Sequence, residues 1–193
     1  MYKLIIITIL FIISNCSTLD LKQFESLKDP RIAQKNPMKM LVYELEGDPN
    51  DTAGKAYSVL FKVAYKLKNA RQGLEQEPPR ARWPKPFEIP SKQWLGQFAL
   101  PINSSIVSLP SEIQKEYPTL KIETWEYGTV AEILHIGPYT KEQPTIQRLT
   151  DFIQKSGYKI SGTHEEEYLR TSGMFFKGDE NEYYTILRCS VKK

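Results

Sequence analysis

This sequence of 193 residues has few side chains that bind metals or form disulfides: its only cysteines are Cys16 and Cys189, and its only histidines are His135 and His164. A metal centre needs several converging His, Cys, Asp or Glu ligands, and the sequence shows no such cluster. No serine lies in a nucleophile elbow or a comparable motif, so nothing supports a Ser-His-Asp hydrolase. We therefore expect no metal and no other cofactor. His135 interrupts an apolar strand and is predicted to be a hydrogen-bonded structural residue.

Charge of one sign is not concentrated anywhere in the chain. The 26 Lys and Arg residues and the 23 Asp and Glu residues are spread along it, and the formal net charge is +3. Such a distribution provides no strong field for nucleic acid or anionic lipid. Because 40% of the residues are hydrophobic, the chain beyond any targeting segment can bury the core of one domain. We expect a monomer that does not bind nucleic acid.

The N-terminus has the features of an export signal. Lys3 is followed by an apolar run from Leu4 to Ile13, which suits the hydrophobic region of a secretory signal but is shorter than the roughly 20 residues that span a membrane. The sequence then continues Ile13-Ser14-Asn15-Cys16, which resembles the lipobox at which signal peptidase cleaves before a lipid-modified cysteine. The resemblance implies a signal peptide at residues 1–15 and a lipidated, palmitate-bearing Cys16 at the mature N-terminus.

Lipidation at Cys16 would place the protein in the cell envelope, as a membrane-anchored lipoprotein facing the periplasm or the exterior. Asn15 stands where Gly, Ala or Ser is usual in a lipobox, so a signal peptide cleaved elsewhere and an uncleaved anchor are the alternatives. An acylated Cys16 leaves Cys189 without a disulfide partner, and Cys189 is predicted to be a small core residue of the last strand. Residues 16–37 are interpreted as the lipidated N-terminus and a polar tether that needs no fixed structure.

Beyond the tether, the order strand, helix, strand, strand occurs twice. In the first half, a strand is predicted at residues 38–46 and a helix at about residues 52–69, where apolar residues recur at spacings of three and four. A short strand at residues 80–83 and a longer one at residues 93–101 complete this unit.

The second half repeats the pattern around a helix with a clear apolar stripe. Thr140 and Gln143 have the spacing of a capping box at its start, and Gly157 marks its end. The strands of this half are predicted at residues 120–127, 130–136, 158–160, 164–169 and 183–191.

Together these elements predict an α+β fold built from a duplicated β-α-β-β unit. Curved antiparallel sheets would carry two main helices on their outer side, and a cleft would open between the repeats. The folded domain is predicted at residues 38–193.

Three sequence segments resemble one known family. Residues 130–139, VAEILHIGPY, resemble the second-repeat signature of GyrI-like domains, also called the bacterial effector-binding fold. Glu166-Glu167-Tyr168-Leu169 is similar to the family's Glu-x-Tyr strand, and Arg80-Ala81-Arg82-Trp83 lies where the first repeat has an aromatic strand. The resemblance covers residues 38–193 and implies the effector-binding fold. No helix-turn-helix precedes the domain here, so we do not expect transcription control or gyrase inhibition.

The resemblance also implies a cleft between the repeats, where aromatic faces surround one acidic group and suit a flat or cationic organic molecule. On a strand, Glu166 and Tyr168 point to one side because the period is two, whereas Glu165 and Glu167 point to the other. Trp83 is the expected partner from the first repeat.

Three more aromatic residues, Tyr139, Trp94 and Phe98, are candidates for the same cleft. Trp94 and Phe98 are expected on one face of their strand and suit the core equally well, and Tyr139 could shape its turn instead. The competing interpretation of Glu165 to Glu167 is a solvated strand edge.

The leading functional hypothesis is an extracytoplasmic lipoprotein that binds a small apolar or cationic organic ligand without transforming it. The resembling family includes hydrolases of electrophilic cyclopropane-containing compounds, so the alternative is a hydrolase in which Glu166 activates water. A third possibility is haem binding, because the SOUL family shares the overall fold, although the sequence has no SOUL-specific motif.

Overall fold

The structure of the chain is a computed structural model that describes residues 20–72, 77–84, 89–171 and 179–193. The predicted signal peptide and the predicted lipidation site at Cys16 lie outside these residues. Among the helices that are described, none has the length and apolar character needed to cross a membrane.

Antiparallel strands form one curled sheet in the described part of the chain. The elements follow in the order β1 (Arg31–Lys35), β2 (Met38–Glu46), α1 (Pro49–Lys66), β3 (Arg80–Trp83), β4 (Leu95–Pro101), α2 (Ser111–Glu116), β5 (Leu120–Trp125), β6 (Gly128–Ile136), α3 (Gln143–Lys155), β7 (Lys159–Ile160), β8 (His164–Arg170) and β9 (Tyr184–Lys192). Short 3-10 helices lie at Leu21–Lys28, Ser91–Gln93, Tyr139–Lys141 and Glu180–Glu182.

The strand order shows the duplication directly. The strand order in the sheet is β1-β6-β9-β8-β3-β4-β2-β5, and β7 pairs with the C-terminal end of β9. The pairing of β3 with β8 lies at its centre, and β4-β2 on one side corresponds to β9-β6 on the other. The predicted duplicated β-α-β-β unit of an α+β fold is therefore confirmed, with β2-α1-β3-β4 and β6-α3-β8-β9 as its copies.

One short connection shows how strongly the sheet curls. β1 and β2 lie near opposite ends of the strand order, yet only Asn36 and Pro37 separate them. Two linking residues can bridge about 11 Å at most, so the two ends of the sheet must approach each other. Met40 of β2 and Val130 of β6 accordingly belong to one buried cluster inside the curl. We call this inner side the concave face.

The two main helices cover the opposite, outer face. On α1, Leu60 and Ala64 of the predicted stripe are buried, and on α3 Leu149 and Ile153 are buried. α1 begins at Pro49, earlier than predicted, because the Asp48 side chain caps it by accepting a hydrogen bond from the Asn50 backbone N–H.

The predicted capping box of α3 is wrong. Thr140 lies in the preceding 3-10 turn, and the N-cap is Glu142, whose side chain makes no capping hydrogen bond. The predicted end at Gly157 agrees with the structure, since this residue adopts a φ of 74°, where glycine meets no steric penalty.

The segment before Met38 differs from the expected unstructured tether. Leu21–Lys28 forms a 3-10 helix that buries Leu27 against the sheet, and β1 pairs with β6. The physical reason is that β6 would otherwise present an unpaired strand edge. The ordered part of the chain therefore extends at least from residue 20.

Candidate functional site

Strand β8 presents carboxylates to both faces of the sheet. His164, Glu166 and Tyr168 alternate toward the outer face, and Glu165 and Glu167 alternate toward the concave face. The three glutamates are only 1%, 8% and 6% exposed, in sequence order. The interpretation as a solvated strand edge is therefore wrong.

On the outer face, Glu166 is held by Tyr168. The Tyr168 hydroxyl donates a hydrogen bond of 2.6 Å to Glu166 Oε2. Burial, and after it the charge of Glu166, raises the pKa of Tyr168 well above its usual value, so this phenol remains a hydrogen-bond donor at physiological pH.

The predicted aromatic residues and one more form a continuous chain of ring contacts that ends beside this carboxylate. Ring centroids are 5.8 Å apart for Trp94 and Trp83, and 5.7 Å for Trp83 and Phe98. From Phe98 the chain continues to Tyr57 at 5.6 Å, to Tyr168 at 6.1 Å, and to Tyr139 at 5.8 Å. All five pairs meet edge to face, the geometry that aromatic quadrupoles favour.

We call this group the aromatic–carboxylate site. It comprises Tyr57, Trp83, Phe98, Tyr139, Glu142, Glu166 and Tyr168. Tyr57 and Glu142 were not predicted as site residues. Tyr57 belongs to the apolar stripe of α1, which looks like core in sequence, and nothing in the local sequence distinguishes Glu142 from an exposed helix-end carboxylate.

The members differ in accessibility. Phe98 is fully buried and Trp83 is 6% exposed, so both lie on the core side. Trp94 lies before β4 rather than in it, meets the Trp83 ring edge to face, and donates its indole N–H to the Ile89 carbonyl at 2.8 Å. Tyr139 is 39% exposed and is the outermost ring.

Two buried polar atoms of the site have no hydrogen-bond partner among the described residues. They are the indole nitrogen of Trp83 and Oε1 of Glu142, whose residue is 7% exposed. Burial, reinforced by the charge of Glu166, raises the pKa of Glu142 to about 9. Glu142 is therefore protonated at neutral pH when no ligand is bound.

The two histidines have different surroundings. His135 Nδ1 lies 3.0 Å from the Thr145 hydroxyl, and Nε2 lies 3.3 Å from the Pro138 carbonyl. Nε2 therefore carries the proton that the carbonyl accepts, and burial lowers the pKa of His135. This agrees with the predicted structural role. His164 Nε2 lies 3.5 Å from Glu166 Oε1, and the described residues contain no cluster of three metal-binding side chains.

On the concave face, Arg188 is the centre of a buried ionic network. Its guanidinium is 3.0 Å from Glu132, 2.7 Å from Glu165 and 2.8 Å from Glu167. Arg82 also pairs with Glu165, at 2.8 Å. Burial alone would raise the pKa of Glu167, but the neighbouring Arg80 and Arg188 outweigh it and hold this pKa below its usual value.

Two cavities of about 190 and 530 Å³ open beside this network. Tyr127 lines both, the smaller with Arg82 and Arg188 and the larger with Lys35 and Arg80. Their linings combine cations with carboxylates that already neutralise one another. The concave face therefore differs chemically from the outer face, where the carboxylate is surrounded by aromatic rings.

Comparison with known proteins identifies the fold. No protein-family model and no curated protein matches the sequence. Among solved structures, an uncharacterized conserved protein and a hydrolase, both from Listeria innocua, are each 22% identical with a TM-score of 0.67. Their alignments cover 89% of this chain and 98% and 96% of theirs. The C-terminal domain of EcmrR is 14% identical with a TM-score of 0.67, over 86% of this chain and 98% of that one.

Because these identities are low, the likeness establishes a shared fold. This fold, with its curled antiparallel sheet and outer helices, is the GyrI-like effector-binding fold that the sequence motifs predict.

Proposed function

We propose that the aromatic–carboxylate site binds a small, flat organic cation. The observation that carries the proposal is the position of Glu166, a buried carboxylate at the end of a chain of aromatic contacts. Glu165 and Glu167, its neighbours on β8, are neutralised by arginines. Glu166 instead contacts the Tyr168 hydroxyl and His164.

A cation bound here would gain from two effects at once. Charge pairing with a buried carboxylate is stronger than in water, and a cation over an aromatic face gains roughly 0.5–2 kcal/mol, more when the contact is dry. A flat apolar skeleton would also be removed from water among the rings. A neutral ligand of the same shape would gain only the last effect.

The rings contact one another in the present arrangement, so a ligand must separate some of them. Tyr139 is the ring best placed to move, since it is the outermost and its hydroxyl is bonded to Thr171, 2.9 Å away, an exposed hydrogen bond. Trp83 and Phe98 are locked in the core. Ligand entry is therefore expected between Tyr139 and Tyr168.

The test is a fluorescence titration with two naphthalene probes of one shape, the cation 2-(1-naphthyl)ethylammonium and the neutral 2-(1-naphthyl)ethanol. Glu166→Gln preserves shape and removes charge, so the affinity for the cation should fall about tenfold and that for the alcohol should change by less than about twofold. The control is Glu112→Gln, on the exposed surface of α2, which changes the net charge equally. The proposal would be contradicted if Glu166→Gln weakened binding of both probes equally, or if Glu112→Gln weakened binding of the cation as much as Glu166→Gln does.

Glu167→Gln is unsuitable as a control, although its side chain points away from the site. It would break ion pairs with Arg188 and Arg80 in the buried network. Any loss of binding could then reflect loss of stability.

We further propose that the domain is exported and anchored to a membrane through Cys16. The support is the lipobox-like segment that follows the apolar run. Cys16→Ser should move the protein from the membrane fraction to the soluble fraction, because it removes the acyl chains, and at least two signals of this kind are needed for stable membrane anchoring. A serine variant that still pellets with membranes after carbonate washing would show that another anchor exists.

Hydrolysis at the same carboxylate is the second candidate function. One protein with this fold is a hydrolase, and here an imidazole lies 3.5 Å from Glu166 Oε1. A carboxylate beside an imidazole could act as a general base toward water. Incubation with an electrophilic cyclopropane-containing compound in ¹⁸O water would show a labelled, ring-opened product in the wild type and none in Glu166→Gln. Binding without turnover in the wild type would exclude this candidate for that compound.

A further inference from the structure

The aromatic–carboxylate site holds a second buried carboxyl group that cation binding at Glu166 alone does not explain. Glu142 enters from the N-cap of α3, 24 residues before Glu166 in the chain, and its residue is 7% exposed. Its backbone N–H donates a hydrogen bond to the Tyr139 carbonyl, 3.1 Å away. The Tyr139 ring in turn contacts Tyr168, whose hydroxyl holds Glu166.

Glu142 Oε1 is a buried oxygen that has no hydrogen-bond partner among the described residues. Leaving a buried acceptor unpaired costs about 1–3 kcal/mol, and a bound ligand that donates a hydrogen bond would remove this cost. A quaternary ammonium ion has no N–H and cannot do so, whereas a protonated amine has up to three.

We propose that Glu142 is the second ligand-binding carboxyl group of this site, and that the site thereby recognises cations that carry N–H groups, such as protonated primary amines. The proposal rests on the proposed cation binding at Glu166 and specifies which cations are bound. One ammonium N–H is donated to Glu142 while Glu166 supplies the opposite charge.

Binding should also release a proton. Burial, and after it the charge of Glu166, disfavours the ionised form of Glu142 when no ligand is bound. A bound ammonium ion supplies a positive charge that favours the carboxylate form of Glu142, so its O–H bond breaks and the proton passes to solvent. The titratable groups around the pair are Tyr57 on α1, His135 on β6, Tyr139 before α3, His164 and Tyr168 on β8, and Tyr183 before β9.

The closing experiment compares 2-(1-naphthyl)ethylammonium with its N,N,N-trimethyl derivative, by calorimetry at neutral pH in phosphate and in Tris buffer. In the wild type, the buffer dependence of the enthalpy should show release of about one proton when the ammonium ion binds. Glu142→Gln should abolish this release and weaken the ammonium probe about tenfold, but weaken the trimethyl probe by less than about threefold.

Two results would overturn the inference alone. One is equal weakening of both probes by Glu142→Gln, which would show that Glu142 attracts any cation through its charge and does not select those that donate an N–H. The other is no proton release in the wild type, a measurement that does not depend on any variant folding. In both cases Glu166→Gln would still weaken both probes, because the proposed function would stand. If neither probe binds the wild type, the proposed function and this inference both fail.

Discussion

Replacing Arg188 by Met tests whether the buried ionic network stabilises the fold. The side chain is 1% exposed and its guanidinium bonds Glu132, Glu165 and Glu167. Methionine fills much of the volume but leaves three buried carboxylates without this cation. Removing one partner of a buried ion pair costs about 3–5 kcal/mol of unfolding free energy.

The lower end of that range is expected, because each carboxylate keeps another cation. Arg31 remains 2.7 Å from Glu132, Arg82 remains 2.8 Å from Glu165, and Arg80 remains 3.3 Å from Glu167. We therefore expect Arg188→Met to lower the free energy of unfolding by about 3 kcal/mol at neutral pH. Urea unfolding followed by tryptophan fluorescence measures this.

The loss should depend on pH with a definite sign. Glu132 and Glu167 have folded-state pKa values below the ordinary value of 4.5, so the stability they contribute is present above the unfolded pKa and is lost as pH falls through the folded pKa. Without Arg188 these pKa values are depressed less, so the variant has less stability to lose. The difference between wild type and variant should therefore shrink below about pH 4.

The matched control is Arg170→Met, which removes an arginine from the same sheet. Arg170 pairs with Glu182 at the surface, and the two side chains are 50% and 55% exposed. Exposed pairs contribute about 0–1 kcal/mol. The reasoning is refuted if Arg188→Met costs no more than Arg170→Met, or if its cost is the same at acidic and neutral pH.

Three further predictions concern packing, the N-terminal segment and Glu142. A Cβ on Gly96 would lie 2.6 Å from a ring atom of Phe98, so Gly96→Ala should lower the free energy of unfolding by about 1–3 kcal/mol and change the near-UV circular dichroism. An unchanged melting temperature would contradict this prediction. A chain starting at Met38 lacks β1 and the apolar cover of the concave face, so its free energy of unfolding in urea should be about 2–4 kcal/mol lower than that of a chain that keeps residues 20–37. Equal unfolding midpoints would show that residues 20–37 add no stability. The pKa of Glu142 is raised to about 9, so the free energy of unfolding of the wild type should fall as pH rises from the unfolded pKa of this group toward 9. Glu142→Gln should make this fall smaller in thermal scans at pH 6 to 9, and parallel pH profiles of the two proteins would contradict the prediction.

The repeated strands and helices could be predicted because each carries its own periodicity. β2 and β3 have the predicted bounds, and α3 ends at Lys155, two residues before the predicted Gly157. β1 could not be predicted in this way, since Arg31–Lys35 is short and mostly polar. Its stability comes from pairing with β6 about 100 residues later, and local sequence carries no signal of that.

The sequence predicts to which face of the sheet each side chain of β8 points, but not what surrounds those side chains. Period two correctly separates Glu166 and Tyr168 from Glu165 and Glu167. Three consecutive glutamates nevertheless look solvated in sequence. The burial of Glu165 and Glu167 depends on arginines from β3 and β9, and that of Glu166 on Tyr168 and the aromatic rings. Only the sheet order brings these groups together.

The same network fixes which glutamate faces the aromatic rings. If β8 slipped by one residue against β3 and β9, Glu166 would turn to the concave face, and Glu165 and Glu167 would turn to the outer face. Such a slip would put two carboxylates among aromatic rings and leave Arg82 and Arg188 with one carboxylate of β8 instead of two. The cost of unpaired buried charge on both faces opposes it. The ionic network of the concave face therefore holds Glu166 in the aromatic–carboxylate site, even though it touches no atom of a ligand there.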